Sequence, residues 1–185
     1  MQQIHLHDKS FYLYITENQI QSRLATVSQE INQHYEGKEL LLVVVLKGAF
    51  MVAADLIRHL NMNPEVSFIR VSSYQSDLKS SGKVREMLGL KADVADRHVL
   101  IVEDIVDTGF TSTFLMDEIR SKSAASVNMF SLLFKPKNLK KGVAPDFVGF
   151  EIPPEFVVGY GLDYAEKGRE LRGIYRLKDE EKEFE

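Results

Sequence analysis

The chain has 185 residues, 44% of them hydrophobic and 27% charged, enough for one domain with a sizeable core. A net charge of −4 leaves no electrostatic footprint for nucleic acid, and the absence of cysteine excludes disulfides and thiolate metal sites. The opening MQQIHLHDKS lacks a basic flank and an apolar signal core, and the longest apolar run, residues 40–46, is too short to span a bilayer, so a cytoplasmic location without membrane contact is expected.

Residues 1–15 show no regular pattern. Thr16-Glu17-Asn18-Gln19 matches a capping box, and Ile20, Leu24, Val27 and Ile31 then recur at helical spacing until Gly37. Leu40 to Leu46 is a continuous apolar run, which predicts a strand buried on both faces. Ala49 to Leu60 has a helical pattern through Phe50, Ala53, Ala54 and Ile57, broken by Asn61-Met62-Asn63-Pro64. Val66, Phe68, Ile69 and Val71 predict a second strand, and the polar stretch 75–91, with Ser80-Ser81-Gly82, reads as a flexible flap. Val99 to Val102 predicts a third strand, Ser112 to Ser121 a helix, and Val127 to Phe134 a fourth strand. Residues 135–175 read as short irregular segments, and 178–185 (KDEEKEFE) as a frayed acidic tail.

Alternating strands and helices define an α/β fold, a parallel twisted sheet flanked by helices, with ligands bound beyond the strands' carboxyl ends. The expected organisation is a single domain over 1–185 with its core at about 38–134.

Residues 99–113, VLIVEDIVDTGFTST, carry the strongest chemical signal. An apolar run ends in Glu103 and Asp104; Asp107 follows, then Thr108, Gly109, Thr111, Ser112 and Thr113 lead into a helix. Backbone N–H groups of such a loop and the helix amino terminus can surround a phosphate. Acids beside that cradle suit a ligand with hydroxyls and phosphate, or a bound metal. Two adjacent acids on a regular strand face opposite ways, so both reach one ligand if the strand ends before them. Without a ligand, the acids would merely cap a strand end, and Asp107 would close an Asx turn.

This segment resembles the phosphoribosyl-diphosphate-binding motif of type I phosphoribosyltransferases. From about Leu41 to Tyr175 the chain resembles their hypoxanthine (hypoxanthine-guanine) branch. The resemblance implies that fold, with a small hood built from about 1–15 and 135–176. It implies transfer of a 5-phosphoribosyl group from its 1-diphosphate to hypoxanthine, and also guanine, giving IMP or GMP and diphosphate, with Mg2+ as cofactor.

On the same resemblance, Glu103 and Asp104 face the ribose hydroxyls. Asp107, Thr108, Gly109, Phe110, Thr111 and Ser112 form the 5′-phosphate loop, with Asp107 as general acid/base for purine N7. Phe110 is a departure, because some relatives carry lysine there. Leu46-Lys47-Gly48 matches the diphosphate loop, whose Leu–Lys peptide is often cis in the family, and Arg70 and Arg169 match further diphosphate contacts. Ser73 and Tyr74 match the start of a mobile lid. Lys135 matches the lysine that donates to the purine 6-oxo group and so rejects adenine, Phe156 the stacking aromatic, and Val157 the backbone contact to the base edge. Asp163, with Glu103 and Asp104, matches the acids that face magnesium, and the resemblance also brings the Asp163 backbone to the purine. Homodimers or homotetramers are the implied assembly.

Read in isolation, Lys47-Gly48 is a plain strand-to-helix turn, Arg70 and Lys135 solvated charges, Ser73-Tyr74 a strand end, Phe156 to Val158 a core strand and Asp163 a turn residue. His5 and His7 lack a third ligand, and neither Gly37-Lys38 nor Gly82-Lys83 is followed by the Ser/Thr of a Walker A loop. Two other readings compete. One is a regulatory protein of the same fold that senses phosphoribosyl diphosphate or nucleotide. The other is an acidic-pocket phosphotransfer domain, which the hydroxyl-rich loop and the aromatic strand near 156–164 disfavour.

Overall fold

The computed structural model describes residues 2–73, 84–142 and 144–178. The first long element, α1 (Glu17–His34), starts where the capping box predicted. The Thr16 hydroxyl accepts from the Gln19 N–H at 3.3 Å, and Gln19 Oε1 accepts from the Thr16 N–H at 2.9 Å. The stripe Ile20, Leu24, Val27 and Ile31 is fully buried.

A six-stranded sheet forms the centre, in the order β5 (Val84–Leu88), β4 (Glu65–Ser73), β3 (Leu40–Leu46), β6 (His98–Val106), β7 (Ser126–Phe134), β8 (Phe147–Glu151). The apolar run β3 lies between two parallel neighbours. Its side chains alternate between layers. Leu42 and Val44 pack with α1 and with α2 (Phe50–His59), while Leu41, Val43 and Val45 pack with α3 (Phe110–Arg120). No helix among the described residues is long and apolar enough to cross a membrane.

The structure departs from the expectations in four places. β5 runs antiparallel to β4, the arrangement open to two strands joined without a crossover. β6 does not stop at Val102. Pairing with β7 carries it to Val106, through Glu103↔Ser131 and Ile105↔Leu133, so ladder bonds override the polarity of the acids. β8 joins the central sheet parallel to β7, which moves the end of the core from about 134 to Glu151. The terminal segments are not irregular: β1 (Gln3–Leu6), β2 (Lys9–Ile15), β10 (Ile174–Leu177) and β9 (Val157–Val158) form a second, antiparallel sheet around Phe11, Val158 and Tyr175. Strands this short, paired across most of the chain, leave no local periodicity to read. Of the flap expected at 75–91, residues 75–83 lie outside the described residues while Val84–Leu88 form the strand β5, and the acidic tail beyond Lys178 also lies outside them.

One carboxylate ties the second sheet's connection to the helices. Asp55 on α2 accepts from Tyr160 Oη at 2.5 Å, Gln21 Nε2 at 2.7 Å and Arg58 Nη1 at 2.6 Å. Burial, then the bond to Asp55, drives the Tyr160 hydroxyl far above the ordinary tyrosine range. Asp55→Ala strands that buried hydroxyl, and should lower unfolding stability by about 2–3 kcal/mol in urea titration. A change under about 0.5 kcal/mol would remove the network from the stabilising contacts. At the sheet's far side, Arg23 on α1 donates to the β8 carbonyls, from Nε to Gly149 O at 2.9 Å and from Nη2 to Val148 O at 2.7 Å.

Candidate active site

Beyond Val106 the chain turns through Asp107, Thr108 and Gly109 into α3. Gly109 has φ 81°, and a β-carbon there would run into the Lys141 carbonyl, so position 109 demands glycine. No side chain caps α3. The N–H groups of its first turn have no acceptor within the helix and add the positive end of its dipole. Thr113 N–H is already bonded to Gly109 O at 3.0 Å. The Ser112 and Thr113 hydroxyls also donate to Gly109 O, at 3.0 and 2.7 Å, and so brace the loop. Lys140 and Lys141 N–H close it from outside on Thr108 O, at 3.0 and 3.2 Å. The hollow so formed, of about 110 Å³, is lined by Asp107, Thr108, Gly109, Thr111 and Ser112, with Glu103 at its wall.

Glu103, Ile105 and Thr111 are shared with a larger cleft of about 390 Å³, which also gathers Lys47, Gly48, Arg70, Asp104, Asp163, Glu166 and Arg169. The Leu46–Lys47 peptide is cis. Gly48 presses so closely on Asp104 that a β-carbon would overlap its carboxylate, and Gly161 lies equally close to the Gly48 carbonyl. Three distant segments therefore meet at one point. Arg169 is fixed by Gly161 O and Asp163 Oδ1, both at 2.8 Å.

Glu103 is only 6% exposed. Burial first, and then the Asp104 carboxylate, push its carboxyl well above the usual range. Burial also raises Asp104, opposed in part by the bond from Ile105 N–H at 2.9 Å. The expectation that both acids need a strand end is thus corrected: β6 continues, yet both line the cleft, with Asp104 held by its neighbour's N–H. Two carboxyls so placed suit a ligand that brings donors or a cation. Among the described residues, no three acidic or imidazole side chains stand close enough to hold a metal ion by themselves. Glu103, Asp104 and Asp163 offer the cleft oxygen donors only, the ligand type that hard cations take together with water and substrate oxygens.

Asp107 makes no Asx turn. Its Oδ2 accepts from Lys135 Nζ at 2.9 Å and its Oδ1 from Asn138 Nδ2 at 2.8 Å. Lys135 is buried at the end of β7, where its N–H is bonded to Val106 O. An ammonium has three donors, so a single bond to Asp107 leaves two to offer. Phe156 is 45% exposed, its ring centroid 6.2 Å from that of Phe11 and 5.9 Å from that of Tyr164, while Val157 is buried and paired with Arg176 of β10. Phe110 is exposed at the start of α3. Ser73 ends β4, and Tyr74 lies outside the described residues, as does the lid it would begin.

Two residues of the site escaped the sequence reading. Asn138 had a faint signal, as a side-chain amide in a Pro-containing turn just after Lys135. Glu166 had none: its carboxylate meets Lys47 at 2.8 Å, and that bond, then Arg169, hold it below the ordinary range.

The fold and this cleft together define a phosphoribosyl-transfer scaffold, and the family model that describes a phosphoribosyl transferase domain matches residues 15–165. The hypoxanthine-guanine phosphoribosyltransferase of Bacillus subtilis is 43% identical over 164 residues, covering 89% of this chain and 91% of that protein. A variant hypoxanthine phosphoribosyltransferase of Trypanosoma cruzi, solved as a ternary substrates complex, superposes with TM-score 0.85 at 40% identity over 90% of this chain and 95% of its own. The bifunctional protein TilS/HprT of Listeria innocua is 42% identical over 175 residues, 95% of this chain, but the chain spans only 27% of that relative's length. The chain belongs to the phosphoribosyltransferase family, in its hypoxanthine-guanine branch.

Proposed function

We propose that this chain is a magnesium-dependent purine salvage enzyme that joins hypoxanthine, and also guanine, to 5-phospho-α-D-ribose 1-diphosphate, releasing diphosphate. The observation that carries this is one continuous wall: the uncapped start of α3, the buried Glu103 and half-buried Asp104, and the Lys47–Arg70–Arg169 cations share two adjoining hollows. The α3 turn holds the 5′-phosphate. Glu103 and Asp104 accept from the ribose hydroxyls, which fixes the anomeric carbon toward the base. The cations take up charge as the bond to diphosphate breaks with its electron pair and a bond from the purine imidazole nitrogen forms. Magnesium, held by Asp163 and the paired acids through water, would add to that neutralisation. Asp107 takes the proton that the purine imidazole gives up. Lys135, which also touches Asp107, donates to the 6-oxo group; adenine's amino group would leave that buried donor unpaired. Phe156 stacks on the base and Val157 offers its backbone to the base edge. Assembly as a homodimer or homotetramer and work in the cytoplasm accompany this reading, supported by the family and the cysteine-free composition.

The test is diphosphate release from phosphoribosyl diphosphate with hypoxanthine, guanine, xanthine and adenine in turn. Turnover with hypoxanthine and at least 10³-fold less with adenine is expected. Ligand binding with no diphosphate release would overturn the enzyme reading in favour of a regulator.

A further inference from the structure

Glu166 is the acid of the cleft that neither pattern nor resemblance accounts for. Its carboxylate accepts two bonds from Lys47 Nζ, at 2.8 and 2.9 Å, and one from Arg169 Nη2 at 3.4 Å. Arg169 has other anchors in Gly161 and Asp163. Among the described residues, the side-chain bonds of Lys47 go to Glu166 alone.

Position 166 is a poor place for glutamate on local grounds. Tyr164 and Lys167 exchange both backbone bonds, at 2.9 and 3.1 Å, around a two-residue turn whose central residues Ala165 and Glu166 have φ of 47° and 66°. Turns with two left-handed central residues favour Asn-Gly, because a β-carbon resists that conformation. Fold stability does not explain the choice either. The Lys47 and Glu166 side chains are 43% and 66% exposed, and pairs this open contribute little. What the turn does achieve is to lay a carboxylate across two of the three cations that line the cleft.

We propose that Glu166 is an internal counter-anion of the diphosphate subsite, occupying Lys47 and Arg169 in the free chain and displaced when a diphosphate binds. The inference rests on the diphosphate reading of this cleft given above. It makes Glu166 a positioning residue. The carboxylate holds the flexible Lys47 stem in the cleft while the site is empty, and it competes with the leaving diphosphate, which favours release.

The experiment is a calorimetric titration of inorganic diphosphate, with magnesium present, into the unaltered chain and Glu166→Gln, each also in a Lys47→Gln background. Glu166→Gln should bind diphosphate three- to tenfold tighter, with slower dissociation and an unchanged thermal midpoint. In the Lys47→Gln background the gain should shrink to less than twofold. Binding by the variant alone supports the proposal as well. Equal or weaker binding by Glu166→Gln overturns it while leaving the diphosphate reading intact. If neither protein binds diphosphate, the cleft assignment and this inference fall together.

Discussion

Replacing Asp107 by asparagine lowers kcat for hypoxanthine by about 10²–10⁴-fold, the range expected when a positioned proton acceptor is lost, and leaves the chain folded. The geometry separates the two consequences. The Asp107 side chain is 39% exposed, so its removal opens no cavity in the core. Lys135, by contrast, keeps only 9% of its side chain exposed and gives Asp107 a bond of 2.9 Å. Asparagine preserves an acceptor for that ammonium, whereas alanine leaves it without this partner. Asp107→Ala should therefore cost about 1–2 kcal/mol of stability, a buried-pair penalty reduced for the openness of the carboxylate, and Asp107→Asn about half as much. Steady-state kinetics beside urea unfolding distinguish the two. Undiminished turnover in either variant would remove Asp107 from the chemistry.

The double change Glu103→Gln, Asp104→Asn should move stability and function in opposite directions. Both carboxyls are raised in the folded state, so the fold holds their protons more tightly than the unfolded chain does. Their stabilising contribution is complete below the ordinary carboxylate range and is lost as pH climbs through the raised folded values. Above the ordinary carboxylate range the substrate-free fold thus bears a cost, either in keeping a proton on these carboxyls or in holding two charges side by side. Neutral amides of the same shape relieve it, by about 1–3 kcal/mol, which raises the thermal midpoint by several degrees and flattens its decline with pH. The same change removes the charge-assisted acceptors from two ribose hydroxyls. At about 1.5–3 kcal/mol each, phosphoribosyl diphosphate should bind about 10²–10⁴-fold more weakly. A midpoint that falls, or binding that stays intact, contradicts this account. Function here is held at the expense of stability, as is common where a fold prepares a site for a ligand it does not yet hold.

How much could be read beforehand follows from where each signal lies. The helix at Glu17–His34 and the strand at Leu40–Leu46 were legible because capping chemistry and burial on both faces are local properties. The turn from Asp107 into α3 was legible because a left-handed glycine, small hydroxylated residues and a helix start must follow one another in the chain. The second sheet was not. β9 is two residues long and pairs with a strand sixteen or more residues later, so nothing near Val157 announces it. The run of β6 past Glu103 was hidden for a related reason, since only the β7 ladder makes a strand of an acidic segment. The family resemblance named Lys47, Arg70, Asp104, Asp163 and Arg169, and the fold brings all five to one cleft. The Lys135–Asp107 bond joins two residues that the resemblance gave separate duties, and Glu166 could not be found without coordinates.

The guanidinium of Arg23 carries a consequence beyond its own two bonds. β8 is the last strand of the central sheet, and a terminal strand ordinarily presents open carbonyls on which a foreign segment can template itself. Here Arg23 of the same chain bonds the successive carbonyls of Val148 and Gly149, and since successive carbonyls of a strand point to opposite sides, one of the two belongs to the open edge. At this point of the border an added strand would meet an acceptor that is already filled, which makes templating there less favourable.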